Sequence, residues 1–187
     1  MAKIGLNNFW YGTLTEGANG AATYGTATTP GKAVSCSVEV ENNDASLYAD
    51  DALAESDTSF AGGTVTMGID REDQETMANL LGHTVSDGVM TRTANDVAPY
   101  VGLGRVVTIM RDNTLKYKVE FLCKVKFSEP SQDDTTKGES VEFNTYELEG
   151  AIAALGDTDG TWSKTQVFND KASAVSYLKG LFGTASA

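Results

Sequence analysis

Residues 116–150 place the strongest constraint on how this chain folds. In their first half, apolar residues occupy every second position and charged residues fall between them. The apolar set is Val119, Phe121, Cys123, Val125 and Phe127, the charged set is Glu120, Lys124 and Lys126, and Leu122 alone is out of pattern. A period of two over this length predicts a long, half-buried β-strand with one apolar and one charged face.

The second half of this stretch predicts a returning strand. Residues 130–138 are rich in Pro, Ser, Asp and Gly, which favour a turn. Val141 and Phe143 resume the alternation, and a change of parity at Asn144 and Thr145 predicts a bulge. Residues 116–150 are therefore predicted to form a long antiparallel hairpin. It belongs either to an ordinary β-sandwich or to a larger barrel that joins neighbouring subunits.

Further strands are predicted at residues 4–14, 34–40, 64–69 and 96–110, with a short hairpin at 84–92 that turns at Asp87 and Gly88. Phe9, Trp10 and Tyr11 cannot all face one core in a strand, because successive side chains point to opposite faces. Between the second and third strands lies a long acidic loop, residues 42–62, in a region without Lys or Arg from residue 33 to residue 70.

Two helices complete the predicted elements. The first, of about three turns, is capped by Asp70 and stops at Gly82; the second is capped by Asp170 and ends at Gly183. The expected buried residues are Met77, Leu80 and Leu81 in the first helix, and Ala174, Val175, Leu178 and Leu181 in the second. The predicted fold is thus mainly β with α. Residues 1–150 form a β-sandwich or barrel-like domain, and residues 151–187 append a strand and a helix.

Net charge and cysteine content limit the function classes. The formal net charge is −12, and no basic run occurs, so binding of nucleic acid through its phosphates is not expected. Cys36 and Cys123 each lie in an apolar alternation, which indicates buried core thiols in a protein made in a reducing compartment; a disulfide between them is the open alternative. No signal-peptide core or membrane-spanning stretch is present, so we expect a soluble protein without a membrane partner.

No recognisable catalytic constellation or cofactor motif occurs. His83, the single histidine, is expected to have a structural or surface role, since no nucleophile motif accompanies it. Residues 157–160 lack the later glycine and glutamate of a calcium loop, and Gly102 and Gly104 lack the third glycine of a dinucleotide site. The acidic pairs at residues 50–51 and 133–134 are expected to be solvated. We therefore expect no enzyme, no cofactor and no metal.

Several motifs, in order along the chain, resemble the major tail protein family of long-tailed phages with non-contractile tails. They are MAKIGLNNFWYGTLTE at the start, LYADD at 47–51, LLGHTV at 80–85, DVAPYVGLG at 96–104, KFSEP at 126–130, KGESVEFNTYELEG at 137–150, and the ending from Gly160-Thr161-Trp162 to Leu181-Phe182.

This resemblance implies a structural protein of the virion tail, made in the cytoplasm of a bacterial host. Six copies would form a ring, and stacked rings would form the tail tube through which DNA passes without specific binding. The partners implied are other copies of the chain, a tape-measure protein and a tail-terminator protein. No cofactor is implied.

The resemblance also suggests roles for particular residues. The 42–62 loop would contact the adjacent ring, through Leu47, Tyr48, Asp50, Asp51, Glu55 and Asp57. The charged face of the 116–150 hairpin would line the lumen, through Glu120, Lys124, Lys126 and Glu142.

A second hypothesis is a monomeric β-sandwich that binds a carbohydrate or another surface ligand. Exposed aromatic side chains such as Trp10, Tyr11 and Trp162 would then serve as stacking platforms. A third, an enzyme with an unrecognised pair of carboxylates, would need two acids in one cleft with separated pKa values.

Overall fold

A computed structural model describes residues 2–49, 52–132 and 145–183, and at residues 19, 45–49 and 52–57 it describes the backbone alone. The protein is mainly β with two short helices, as the sequence predicts. The strands are β1 (Ala2–Glu16), β2 (Ala22–Tyr24), β3 (Ala33–Ala49), β4 (Ala52–Ile69), β5 (Thr84–Ser86), β6 (Val89–Thr91), β7 (Val101–Arg111), β8 (Thr114–Phe127), β9 (Tyr146–Ile152) and β10 (Ser163–Phe168). The helices are α1 (Gln74–Leu81) and α2 (Lys171–Gly180), and a 3-10 turn lies at Ala18–Gly20.

One large antiparallel sheet carries the fold. Its strands run in the order β2-β1-β7-β8-β9-β4-β3, and β10 pairs with β8 beside β9. The sheet curls, because β1 also comes into contact with β3. The predicted hairpin at residues 84–92 is confirmed as a separate pair, β5 and β6, and Asp87 and Gly88 at its turn have φ values of 51° and 77°.

The expected full-length pairing within residues 116–150 is wrong for the described part. β8 pairs with β7 along most of its length, while its other side is shared between β10 and β9. β9 meets β8 at only three positions, from Val125 to Phe127, and pairs along seven positions with β4. The physical reason is that β10 occupies the edge of β8 that a full hairpin would need. The turn at 133–144 and the returning residues Val141 and Phe143 lie outside the described residues.

A β-bulge divides β8 between two cores, which corrects the predicted single apolar face. The register against β7 shifts by one, so that Gly102 lies opposite both Cys123 and Lys124. An extra residue reverses the faces to which all later side chains point. Val119, Phe121 and Cys123 therefore enter one core, whereas Leu122, Val125 and Phe127 enter the other. The bulge therefore explains Leu122, which breaks the alternation in the sequence: it packs in the same core as Val125 and Phe127.

The first core lies within the curl of the sheet and is closed by α1. Its fully buried members include Phe9, Val65, Met67, Ile69, Met77, Leu80, Val101 and Leu148. The second core lies on the outer face of β1, β7 and β8 and is covered by α2. It contains Leu14, Val106, Val119, Phe121, Cys123, Leu155, Ala174, Leu178 and Phe182. The aromatic triplet divides as expected, since Phe9 and Tyr11 pack in the first core and Trp10 packs against the second.

The predicted acidic loop at residues 42–62 is instead the outer part of two paired strands. β3 and β4 remain paired from Asn42 opposite Phe60 to Ala49 opposite Ala52, with one register shift between Leu47 and Tyr48. Backbone hydrogen bonding can continue along polar residues, so the lack of an apolar alternation here does not end the strands. We call this two-stranded extension, residues 42–60, the arm. On β3 itself Cys36 and Val38 are half-buried, whereas Val34 and Val40 of the predicted apolar face are exposed.

Both helices are confirmed, with changes at their ends. α1 is capped by Asp73 rather than Asp70, whose Oδ1 accepts a hydrogen bond from the Lys32 amide at 2.8 Å. It has eight residues, or about two turns, and Gly82 ends it in the left-handed conformation as predicted.

α2 is capped by Asp170 as predicted, but it stops at Gly180 rather than Gly183. Ala174 and Leu178 are its buried residues, and Val175 is half-buried; after the helix, Leu181 is half-buried and Phe182 is buried. The expected boundary at residue 150 falls inside β9, and residues 163–168 add a strand to the same sheet. Neither helix, nor any other in the described ranges, is long and apolar enough to cross a bilayer.

Candidate functional site

The arm carries the residues expected to contact an adjacent ring. Its backbone places Leu47 opposite Glu55, and Asp57 opposite Ala45, near the far end of the ribbon. Tyr48 pairs with Leu53, and Asp50 and Asp51 lie outside the described residues. Among the described residues, β4 pairs only with β3 from Ala61 outward, so these two strands extend beyond the rest of the described sheet.

The strands β3 and β10 of the large sheet each have an unpaired edge among the described residues. Within residues 2–49, 52–132 and 145–183, β3 pairs only with β4, and β10 pairs only with β8. Six apolar side chains on the strands of this sheet are 40–54% exposed: Ile4, Val34, Val40, Met110, Leu115 and Val167. An unpaired edge with exposed apolar side chains is a surface to which a further strand can be added.

Glu120, one of the predicted lumen residues, is held in an ion-pair network. Arg105 binds it through Nε at 2.7 Å and also through Nη2, and Lys118 Nζ lies 2.5 Å from its Oε1. Burial alone would raise the pKa of Glu120, but the hydrogen bond from Lys118 and the charge of Arg105 together lower it. Arg105 also contacts the Cys36 sulfur, a thiol whose pKa is raised by burial despite that guanidinium.

Lys124 and Lys126 occupy the other face of β8. Their ammonium groups lie 4.7 and 5.5 Å from the centre of the Tyr100 ring, which is within the range of cation–π attraction. Lys124 also forms an ion pair with Glu16 at 2.5 Å. The hydrogen bond from Lys124, together with one from the Gly156 amide, lowers the pKa of Glu16.

The predicted charged row is therefore divided, and this corrects the expectation of one continuous face. The bulge separates Glu120 from Lys124 and Lys126 in the same way that it separates the apolar residues. Glu142 lies outside the described residues. Arg105 and Lys118 were missed by sequence reasoning. Their pairing with Glu120 depends on the register between β7 and β8, which no local pattern reports.

His83 has the structural environment expected for it. Its side chain is 7% exposed, with Nδ1 2.7 Å from Asp96 and Nε2 2.9 Å from Glu129. Hydrogen bonds to Asp96 first and to Glu129 next raise the pKa of His83 against the opposing effect of burial. Hydrogen bonds from Thr93, followed by the one from His83, lower the pKa of Asp96 to about 2. Both ring nitrogens are thus engaged by carboxylates, and the imidazole cannot act as a base while it holds them.

The other candidate sites have structural explanations. Residues 157–160 were not expected to form a calcium loop. There, Asp157 Oδ1 accepts a hydrogen bond from the Thr161 amide at 2.8 Å. Gly102 and Gly104 lie within β7 rather than in a phosphate-binding loop. In the part of the chain that the structure describes, no group of three or more His, Cys, Asp or Glu side chains is arranged to hold a metal ion. Cys36 and Cys123 are free thiols, Cys36 half-buried and Cys123 fully buried.

The three aromatic side chains of the ligand-module hypothesis are engaged within the protein. Tyr11 is 3% exposed, and Trp10 is half-buried with Lys179 Nζ 5.5 Å from its ring centre. Trp162 stacks on Phe60 with 4.7 Å between ring centres and an angle of 3° between planes. They lie in different places and do not form one exposed platform.

Comparison with known proteins adds no relative by sequence. No family model matches the chain, and no curated protein matches it.

Proposed function

We propose that this protein is a structural subunit of a phage tail tube, which self-assembles into stacked hexameric rings. The tube is the conduit through which DNA leaves the virion. Tape-measure and tail-terminator proteins are its further partners. The proposal rests on the order of motifs that resemble the major tail protein family, and on one feature of the fold.

That feature is the arm, which continues past the sheet as a ribbon of two strands. Eight residues of β3, from Asn42 to Ala49, extend over roughly 25 Å at about 3.3 Å per residue. A two-stranded ribbon is marginally stable in water by itself, because it has no third strand or packed layer. Contact with another copy would supply that layer and would make the long ribbon a joining element.

The unpaired edges of β3 and β10 favour the same function. A closed barrel built from several copies leaves no strand edge exposed, and it covers apolar side chains that a lone copy presents to water. Val34 and Val40 on β3 and Val167 on β10 are side chains of this kind.

The charge of the chain is suited to a conduit for DNA. A wall that attracted phosphates would retain the DNA that it must release, and a subunit with a net charge of −12 does not attract them. Because the bulge places Glu120 on the opposite face from Lys124 and Lys126, these residues cannot all line one channel. Which of the two faces lines the channel, and whether Glu142 belongs to it, stays a prediction.

Shortening the arm tests this function. Residues 45–57 are replaced by Asn-Gly, so that a two-residue turn follows the pair formed by Asp44 and Thr58. The change removes all six residues expected to contact an adjacent ring. We expect a folded protein, checked by circular dichroism, that forms no tubes in negative-stain electron microscopy at concentrations where the wild type does. Normal tubes from the shortened chain would exclude the arm as a joining element.

A matched pair of substitutions tests the strand edge separately. Val34→Lys puts a charge on the unpaired edge strand β3, where Val34 is 49% exposed; Val89→Lys makes the same change on the small β5–β6 pair, where Val89 is 63% exposed. We expect Val34→Lys to block assembly, since charges on edge strands oppose edge pairing. Val89→Lys should assemble normally. Equal behaviour of the two variants would contradict assembly through β3, and a wild-type chain that remains monomeric with tail initiation components present would overturn the function itself.

A further inference from the structure

A cavity of about 270 Å³ lies between β3 and the face formed by β7, β8 and β10. Its walls come from five different strands, because Lys3 of β1 closes it at one side. Cys36 and Val38 of β3 form the opposite wall. Ligand pockets for drug-sized molecules start at about 300 Å³, so a cavity of this size suits a small organic molecule.

The charges around this cavity do not balance. Lys3, Arg105 and Lys118 line it together with a single carboxylate, that of Glu120. Arg105 and Glu120 are only 12% and 14% exposed, so water screens them poorly. Glu120 offsets one positive charge, which leaves an excess of two in a chain whose net charge is −12. This is a local reversal of the protein's overall charge at a partly enclosed position.

The rest of the lining is apolar or aromatic. Leu103 and Leu122 form part of the floor, and Trp162 stands at the β10 side, where its stack on Phe60 fixes the indole plane. Ser163 and Thr165 add hydroxyl groups beside it. Convergent cations next to an apolar wall with a fixed aromatic ring select an anion that has an apolar body.

We propose that this cavity binds a small organic anion, a carboxylate or a phosphate carried on an aromatic or branched apolar group. The anionic group lies against Lys118 and Lys3, and the apolar body lies against Leu103, Leu122 and Trp162. Glu120 remains paired with Arg105 through Oε2 and with Lys118 through Oε1, so Lys118 is shared between Glu120 and the ligand while Lys3 and Arg105 contribute positive charge. This inference does not depend on the proposed assembly, because every lining residue belongs to one copy of the chain.

Calorimetric titration of the whole protein with benzoate and phenyl phosphate tests the site. Benzyl alcohol serves as the neutral probe, and inorganic phosphate as the anion without an apolar body. We expect both organic anions to bind more tightly than either control. Comparison of benzoate with phenyl phosphate then shows which anionic group the site prefers. No binding of either organic anion at millimolar concentration, or equal binding of benzyl alcohol, would overturn the proposal.

Two lysines on β8 provide a matched pair of variants. Lys118 lines the cavity, whereas Lys116, two residues earlier on the same strand, does not. We expect Lys118→Gln to weaken binding of the preferred anion about tenfold, as loss of a charge-assisted hydrogen bond does, and Lys116→Gln to leave it unchanged. An equal effect of both variants would show attraction by diffuse surface charge and would contradict a built site.

Tryptophan fluorescence gives an independent readout of position. The chain has two tryptophans, and in Trp10→Phe the remaining one, Trp162, lines the cavity. The emission of this variant should change with the same midpoint as the calorimetric titration. Calorimetric binding without a change in Trp162 emission would place the ligand elsewhere and would overturn the assignment.

Discussion

At the scale of single residues, Tyr24 stabilises the bulge on which the two-core arrangement depends. Its hydroxyl donates a hydrogen bond of 2.9 Å to the carbonyl of Cys123, one of the two bulge residues. A side chain at Gly102 would come within 2.8 Å of the rings of Tyr24 and Phe121, so glycine at that position leaves the space that Tyr24 uses. The bulge thus has a donor for its carbonyl and a small residue opposite it.

We predict that Tyr24→Phe lowers the free energy of unfolding by about 1–2 kcal/mol. The change removes the donor and leaves a partly buried carbonyl without its partner, while the ring contacts remain. Urea denaturation measures the difference, with Tyr177→Phe as a control on an α2 side chain that packs against Phe168. Equal stability of wild type and Tyr24→Phe would exclude this role for the hydroxyl.

The His83 network predicts a pH dependence with a definite sign. The pKa of His83 is raised above its ordinary value of about 6.5, so the protonated ring favours the folded state. Its contribution is complete below pH 6.5 and is lost as the pH rises through the higher folded value. The stability difference between wild type and His83→Gln should therefore be larger at pH 6 than at pH 9.

The same ring can be followed directly, because the chain has a single histidine. Its proton NMR signal should titrate with a midpoint above 6.5, and Asp96→Asn and Glu129→Gln should each lower that midpoint. A wild-type midpoint at or below 6.5 would contradict the double pairing with Asp96 and Glu129.

At the scale of elements, α2 docks on β7 through a close contact between one glycine and one leucine. A Cβ at Gly104 would lie 2.3 Å from Cδ1 of Leu178, which is fully buried. The helix can therefore approach the sheet closely only because position 104 has no side chain.

This contact predicts a coupled pair of substitutions. Gly104→Ala overpacks the second core and should cost about 1–3 kcal/mol, and Leu178→Ala leaves a cavity and should cost about 2–5 kcal/mol. In the double variant the smaller side chain at 178 makes room for the new methyl group. Its loss in stability should fall short of the sum by at least about 0.5 kcal/mol. Additive losses in chemical denaturation would show that the two positions do not share this space.

The elements themselves could largely be predicted from the sequence. Alternation located β8, the helical spacing of Met77, Leu80 and Leu81 located α1, and Asp87-Gly88 located the β5–β6 turn, because each pattern follows from local geometry. The arm was missed because both of its strands are polar, and a period of two in hydrophobicity is absent. The cap of α1 was misplaced because Asp70 is engaged by the amide of Lys32, a partner 38 positions away.

At the scale of the whole molecule, the charge of the chain bears on its proposed assembly. A net charge of −12 on each copy opposes close approach of further copies, and dissolved salt screens that repulsion. The screening length falls from about 10 Å at 0.1 M salt to about 3 Å at 1 M.

We therefore predict that assembly begins at a lower protein concentration in 1 M than in 0.1 M sodium chloride. Light scattering across a concentration series at each salt level measures the threshold. A threshold that rises with salt would indicate that ion pairs between copies dominate, and would contradict assembly driven by apolar edges.

The candidate site was less predictable than the fold, because it depends on long-range register. The alternation placed Glu120 on the charged face of β8, but its partner Arg105 lies on β7, and its separation from Lys124 arises from one extra residue. The cavity combines β1, β3 and β10, whose juxtaposition no local pattern contains. Charge and alternation in the sequence indicate which face of a strand is polar, but not which polar residues of different strands come into contact.

The bulge at Cys123 and Lys124 also determines how this chain tolerates changes in length. With one residue fewer there, Val125 and Phe127 would turn outward, while α2 and its leucine would keep their place on the sheet. Filling both cores at once thus depends on the number of residues at the bulge rather than on the chemistry of any side chain. In evolutionary terms, substitutions along β8 can accumulate gradually. A single-codon deletion between residues 122 and 125, by contrast, removes Val125 and Phe127 from the first core in one step.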